Sequence, residues 1–561
     1  MNSLEHFFEN RRLQIALLIA FTALITAWVV HILFASEGVY DTGDGIQHYQ
    51  ISRYSWQHPE LLLDHWGKPL FTLLSSPFAQ FGHKGIGVFN ALLYLTTCLL
   101  AFDSLRRMQL NWISSVLFAG LVITAPQYIQ MILAGMTEIL FAFLSMLVIW
   151  LAVRKKYSWM AIAASFMLFS RPESAAFIPV AFVWMIWKKE WKVLPWFFTG
   201  LVLYSLIGAF HYGDITWFFT ANPYTGAHDI YGSGPLDHFF EHRKEIFGGY
   251  FFWLFIVSLP LLAITYWKRR DLRNELLMLA ALAIIPVVGT FAVHSYAWYK
   301  GINGSLGLIR VLATTVPAAA FVVSYAVGKG VGLLPGRILL RSATAILFVG
   351  FLVISNYNQM RSVTVLPLPA TEQQLHMNQV ASWVRENRPV NDGIAYLNPY
   401  LGFRSDIDPY SDQTHLIWGL DQGKEYAGLE AGDWLIWDGH FAPNEGRFPL
   451  ERALSNDFEV LAYFPPVQQM RVLGGYLFEI FVLRASSKEA ITETARTELT
   501  PNPEFYTENP QFPWTWTNQM DDRGDFRYRE VDIIPFGIDG SSHEAHLTYS
   551  ASDGDQLLMH R

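Results

Sequence analysis

The sequence predicts a polytopic α-helical membrane protein with about eleven transmembrane helices, followed by a C-terminal extracytoplasmic domain of α/β or α+β type. Three observations predict it: the composition, the lengths of the apolar runs, and the placing of basic residues between them. Charged residues make up 16% of the 561 positions, against roughly 25% in ordinary globular domains, and hydrophobic residues reach 52%, with 20 Trp and 42 Phe. The excess is gathered into runs at 13–34, 86–105, 112–130, 132–153, 157–172, 173–187, 193–212, 248–267, 275–296, 305–328 and 338–357. Arg11/Arg12, Arg106/Arg107, Arg154/Lys155/Lys156, Lys188/Lys189/Lys192, Lys268/Arg269/Arg270 and Lys329/Arg337/Arg341 fall at every second boundary. Positive charge stays on the cytoplasmic side, so this alternation places the N-terminus inside and everything after about 358 outside.

The run at 13–34 is long enough to cross a bilayer, which takes about 20 apolar residues at about 1.5 Å each. It is too long for the apolar core of a signal peptide and shows no small-residue cleavage site, so it reads as a retained first span. The pair 157–172 and 173–187 is short and broken at Arg171-Pro172. Two short crossings or one re-entrant hairpin fit equally, and the order of the later spans is the same either way. Outside the membrane lie a first loop at 36–85, a loop at 213–247 and the tail.

Residues 1–358 therefore form the transmembrane domain and 359–485 a soluble extracytoplasmic domain, with an amphipathic helix at 373–386 and strand-like runs at 393–397, 433–437, 459–464 and 476–483. A polar, Thr/Glu-rich linker follows at 486–500 and a small β-rich segment at 501–561. Trp434, Trp437, Trp514 and Trp516 in this tail could stack on sugar rings, although packing between strands is the simpler reading.

A net charge of -8 over this length gives no reason to expect a nucleic-acid partner, whereas membrane lipids are unavoidable ones. The single cysteine, Cys98, excludes an intramolecular disulfide and a cysteine zinc site. An outside domain without disulfides points to a bacterial cell envelope, hence the inner (cytoplasmic) membrane. The one glycosylation sequon, at 303–305, abuts a span and agrees with that.

Polar chemistry concentrates in the first outside loop, at Tyr40-Asp41-Thr42-Gly43-Asp44-Gly45-Ile46-Gln47-His48-Tyr49. A helix starting near Asp44 would hold that carboxylate at its positive end, where it could accept a proton from an incoming hydroxyl. Capping of the helix by Asp41 or Asp44 is the structural alternative. The loop continues to Asp64-His65-Trp66-Gly67-Lys68-Pro69-Leu70-Phe71, in which the Lys68 ammonium could neutralise a phosphate leaving group or reach lipid headgroups.

An acid just after the first span, followed at this distance by Lys-Pro-Leu, resembles the GT-C membrane glycosyltransferases, and within them the protein-mannosyltransferase and aminoarabinose-transferase branch. Asp44-Gly45 matches the family's acidic element with its first position kept. Gly67-Lys68-Pro69-Leu70 matches the second element, with one proline fewer and Gly67 where the family often carries Glu. Thr137-Glu138, Ser170-Arg171-Pro172-Glu173, and Arg310 followed by Val316-Pro317 resemble later elements, so the likeness covers residues 10–360. It implies that the first-loop acid is catalytic and that the lysine contacts the carrier phosphate.

Independently of any resemblance, Glu138, Arg171, Glu173 and Arg310 are ionisable groups within or beside apolar segments, which face a bundle interior or a water cavity. Buried ion pairs, such as Arg171 with Glu173 or Glu138, are the structural alternative. A divalent cation on Asp41, Asp44 or Glu138 stays open, with one of His48, His65, His211, His228 and His294 as a further ligand; no spacing among them is diagnostic, and no other cofactor is implied.

The expected activity is transfer of a hexosyl or pentosyl group from a polyprenyl-phosphate-linked donor to an acceptor outside the membrane, with inversion. Asp44, with Asp41 beside it, acts as base; Lys68, Arg171 and Arg310 hold the donor phosphate; Glu138, Glu173, His48 and His65 support the substrate. The acceptor, whether glycan, lipid or protein, is unspecified. The other class is a non-catalytic membrane scaffold or a lipid or sugar transporter (flippase), whose ionisable residues would lie near the midplane on broken helices. Here the candidates gather at the outer boundary, which favours an enzyme.

Overall fold

The structure, a computed structural model, describes residues 11–221, 232–302, 305–332, 338–416, 429–454, 457–466, 472 and 476–486, and three strands beyond them. The chain divides into two compact units, Met1–Pro369 and Ala370–Arg561. The first extends past the expected boundary at 358 because the last apolar helix runs on to Val363.

Lipid offers backbone amides no water, so the apolar runs close their hydrogen bonds within helices. In the first unit these are α1 (Arg11–Ala35), α2 (Asp44–Tyr54), α3 (Pro69–Ala79), α4 (His83–Arg107), α5 (Trp112–Thr124), α6 (Pro126–Leu133), α7 (Glu138–Val153), α8 (Tyr157–Met167), α9 (Ser174–Trp187) and α10 (Thr199–Tyr212). They continue as α11 (Gly249–Lys268), α12 (Ile285–Lys300), α13 (Val316–Gly332) and α14 (Ile338–Val363).

Every expected run is helical, yet the runs are not equal crossings. Among the described residues 7 helices are long and apolar enough to cross, or 8 if one bent pair counts as a span. That pair, α5 and α6, covers the run at 112–130, expected from the sequence as one crossing. Pro126 lacks an amide hydrogen and holds Ala125 extended (φ -72, ψ 117), so the two helices meet at 67°. With 16 and 14 residues, α7 and α9 are shorter than a full crossing. Both begin at buried ionisable residues, where the candidate site lies.

The second unit opens with α15 (Glu372–Asn387), whose cap Thr371 accepts from the amide of Gln374. Strands β1 (Ile394–Tyr396), β2 (Thr414–Leu416), β3 (Trp434–Asp438), β4 (Phe458–Phe464) and β5 (Ile480–Ala485) form one mixed sheet in the order β2-β1-β3-β5-β4. β1 is parallel to β2 and β3, whereas β5 is antiparallel to β3 and β4. Leu435, Trp437, Phe448, Phe481 and Leu483 fill its core. Trp437 is buried and donates through Nε1 to the Phe448 carbonyl at 2.8 Å, and Trp434 is buried too, so both pack rather than stack on a ligand.

Residues 487–500 of the expected linker lie outside the described residues. Beyond them β6 (Trp514–Asn518), β7 (Arg529–Pro535) and β8 (Ala545–Ser550) make an antiparallel sheet in that order. Trp514 and Trp516 lie on β6; their side chains are outside the described residues.

Candidate functional site

α2 starts at Asp44, where a helix start is expected from the sequence, but the capping falls to Asp41. Its Oδ1 accepts from the amides of Gly43 (3.1 Å) and Gly45 (2.8 Å), which leaves the Asp44 carboxylate in the first turn for other work. The loop lies against the turn after α6: a Cβ on Gly45 would sit 2.6 Å from the Ala134 carbonyl oxygen, a distance only glycine permits. That turn passes through Gly135 (φ 72) to Thr137 and Glu138 at the start of α7. Asn90, an amide inside α4, pins it by donating to the Met136 carbonyl at 2.9 Å.

Arg310 enters from a 3-10 helix, Ile309–Thr315, that leads into α13. Its Nη1 lies 2.8 Å from Asp41 Oδ2, its Nη2 bonds Asp44 Oδ2, and its Nε is 3.9 Å from Glu138 Oε1. Glu138 Oε1 in turn lies 2.9 Å from Nη1 of Arg171, which also donates to the Thr137 hydroxyl at 2.7 Å. The other Arg171 nitrogens donate to Glu173 at 3.0 and 3.1 Å, and His294 Nε2 on α12 is 3.4 Å from the same carboxylate. One continuous chain of polar contacts therefore runs from Asp41 and Asp44 through Arg310, Glu138, Arg171 and Glu173 to His294. Of its carboxylates Glu138 (0%) and Glu173 (1%) are closed off, whereas Asp41 (15%) and Asp44 (29%) are partly open, Asp44 the most.

Lys68 stands at the turn into α3 with φ 62, and its Nζ donates to the His65 carbonyl at 3.0 Å. Three bonds fix the turn. The Gly67 amide donates to Asp64 (2.6 Å), Thr72 Oγ1 donates to the Gly67 carbonyl (3.0 Å), and the Leu70 amide donates to the Phe169 carbonyl (3.1 Å), beside Arg171. Burial, followed by repulsion from Arg171, brings the Lys68 ammonium down to about 8, against the pull of Glu173, Asp44 and Asp64. Burial raises Asp44, opposed chiefly by Arg310.

His48 is buried on α2 against Phe71, and burial together with Lys68, Arg171 and Arg310 holds it well below the usual histidine range. His65 packs on Trp217 and Phe218, and burial lowers it as well. Both are neutral rings beside the site.

Asp41, Asp44, Glu138, Arg171, Glu173, Arg310 and His294 thus come together, with Lys68, His48 and His65 beside them, and two partners differ from the expectation. Asp41, Asp44 and Glu138 do come together, around the Arg310 guanidinium. Among the described residues no group of three or more His, Cys, Asp or Glu is arranged to hold a metal ion. Arg171, expected on the donor phosphate, has its nitrogens engaged by Thr137, Glu138 and Glu173, as the ion-pair alternative foresaw. His211 packs against Tyr212, and His228 lies outside the described residues. Sequence reasoning missed Asn90, although an amide within an apolar run was signal enough.

No protein-family model matches the sequence, and no curated protein matches it. Solved structures do match. One is the crystal structure of ArnT from Cupriavidus metallidurans bound to undecaprenyl phosphate, with a TM-score of 0.57 and 11% identity over 83% of this chain and 97% of that one. The apo state of the same protein gives a TM-score of 0.56 with the same identity and coverage. At that identity the likeness speaks for the fold, and the protein has the GT-C-type membrane fold that its first-loop motifs resemble.

Proposed function

We propose that the protein transfers a hexosyl or pentosyl group from a polyprenyl-phosphate carrier to an extracytoplasmic acceptor, a glycan, a lipid or a protein, with inversion. The observation that carries this reading is the placing of Asp44. It is the open end of a buried charge chain, shares Arg310 with Asp41, and lies in the field of Lys68. The acceptor hydroxyl or amine hydrogen-bonds to Asp44 and gives it a proton as its oxygen or nitrogen bonds to the sugar C1. On the opposite face the bond from C1 to the carrier phosphate breaks, and its electron pair leaves with the phosphate.

Lys68 and Arg310 neutralise that leaving group. A phosphate drawing on Arg310 also loosens the guanidinium from Asp44, so donor binding itself makes the base stronger. Arg171 is assigned a positioning role, holding Glu138 where it backs Arg310. The steps draw only on the chain's own cations. We place the N-terminus in the cytoplasm of an inner membrane and the site on the extracytoplasmic side, because Arg106, Arg107 and Arg154 end the helices α4 and α7 that start near the site.

Purified protein offered a panel of polyprenyl-phosphate sugars should release the free carrier phosphate from at least one of them. No release from any donor would return the scaffold or transporter reading. Lys68 gives the reading a pH signature. Its ammonium is present below about 8 and lost as pH rises through that value, so kcat/KM for the donor should fall on the alkaline side. In Lys68→Arg, whose charge persists above about 12, the alkaline limb should disappear; initial rates across pH check this.

A further inference from the structure

At the far end of the two helices that carry the site lies a second cluster of charge that the proposed reaction does not use. α7 starts with Glu138 in the site and ends beside Arg154, about 24 Å away at about 1.5 Å per residue. There Asp103 of α4 accepts from three arginines at once. Arg106 Nη2 is 2.7 Å from Oδ1, Arg107 Nε is 2.8 Å from Oδ2, and Arg154 reaches Oδ2 with Nε (2.9 Å) and Nη2 (2.8 Å). Trp150 Nε1 donates to the same oxygen at 2.9 Å, and the Arg154 guanidinium lies 4.4 Å over the Trp150 ring.

A carboxylate that served only to join α4 to α7 would need one cation. Here one negative charge organises three positive ones, leaving a local excess of two, and exposed Lys155 and Lys156 follow directly. The carboxylate is largely covered (17%), whereas the guanidiniums stay open at 40%, 42% and 35%. Their outward N–H groups form a preorganised donor surface for an oxyanion.

The surroundings say which oxyanion. On α4, Leu92, Thr96 and Leu99 are exposed at helical spacing and lead to Asp103; on α7, half-buried Phe143, Leu147 and Trp150 lead to Arg154. Two neighbouring, mainly apolar stripes thus end together at the guanidiniums. Acyl chains fit the stripes and a phosphodiester fits the cluster, with the Trp150 ring at headgroup depth.

We infer that the Asp103, Arg106, Arg107 and Arg154 cluster seats the headgroup of an anionic phospholipid on the membrane face opposite the site. The full-length protein in detergent, titrated with phosphatidylglycerol or phosphatidylcholine and read by native mass spectrometry, tests this. The wild type should retain phosphatidylglycerol in preference. Arg106→Gln/Arg107→Gln leaves the Arg154–Asp103 pair joining the helices, and it should weaken phosphatidylglycerol retention about 25-fold, about fivefold per arginine, without changing retention of phosphatidylcholine. Arg107→Gln alone, the mildest change, should give about fivefold if the double variant does not fold. Equal retention of the two lipids by the wild type, or unchanged preference in the variants, would overturn the inference. So would displacement of the lipid by inorganic phosphate at similar concentration, which would mark a site for free anions instead.

Discussion

Arg171→Leu is expected to destabilise the protein more than any other single change considered, by about 3–5 kcal/mol. Among the described residues Arg171 is the one cation in contact with both Glu138 and Glu173, over 2.9–3.0 Å, and those carboxylates are 0% and 1% exposed. Arg310, at 3.9 Å from Glu138, does not reach Glu173 in the same way. Without Arg171 two carboxylates stand against each other away from water, and they must either protonate or open the packing around α7 and α9. A loss of that size takes a large share of a typical total of about 5–15 kcal/mol. Thermal unfolding in detergent would show it. The triple change Glu138→Gln/Arg171→Met/Glu173→Gln should recover most of the loss, because what costs stability is the unpaired charge and not the absence of the ion pair. Equal instability of the single and triple variants would mean that shape, not charge, holds this region.

Arg310→Lys is expected to lower turnover by about 100- to 1,000-fold while leaving the fold intact. The fork of Arg310 spans Asp41 and Asp44 with two different nitrogens and still directs Nε towards Glu138. A lysine keeps the charge but presents one point where three directions are needed, so it cannot hold both aspartates and also turn to a phosphate. The loss should appear in kcat and in donor affinity together, measured as initial rates over a range of donor concentration. A variant as active as wild type would remove Arg310 from the site chemistry.

Much of this arrangement was legible in the sequence, for reasons that differ from residue to residue. Glu138, Arg171, Glu173 and Arg310 stand out because an ionisable group within or beside an apolar run is costly and therefore has a purpose, and Asp44 and Lys68 because polar chemistry gathers in one outside loop. Their partners were not legible. Arg310 and Asp44 meet across 266 positions, and no spacing rule connects them. Nor does the sequence reveal that Arg310 would occupy the centre of the carboxylates that looked free to share a cation. Arg171 beside Glu173 could be read either as a ligand or as an ion pair, and only the buried contact with Glu138 decides between them.

The helices themselves follow from apolar length, but depth does not. The run of α7 looks like an ordinary crossing and that of α9 only like a short one, until the 16 and 14 residues of these helices are found to begin in the charge chain. Pro126 was visible, and the 67° bend it makes was not, because a proline within an apolar run is compatible with either a kink or a new helix. In the second unit the three-residue strand β2 and the helix Pro399–Arg404 are too short to show a period. The longer strands β3, β4 and β5 are legible as apolar, strand-like runs.

The central claim is that Asp44 is the base of a sugar transfer from a lipid phosphate. Its most direct test is release of the carrier phosphate by purified wild type and by Asp44→Asn, with donor binding measured on the same samples. The account predicts that release falls about 100- to 10,000-fold in the variant while the donor still binds. Release at the wild-type rate by Asp44→Asn would contradict it.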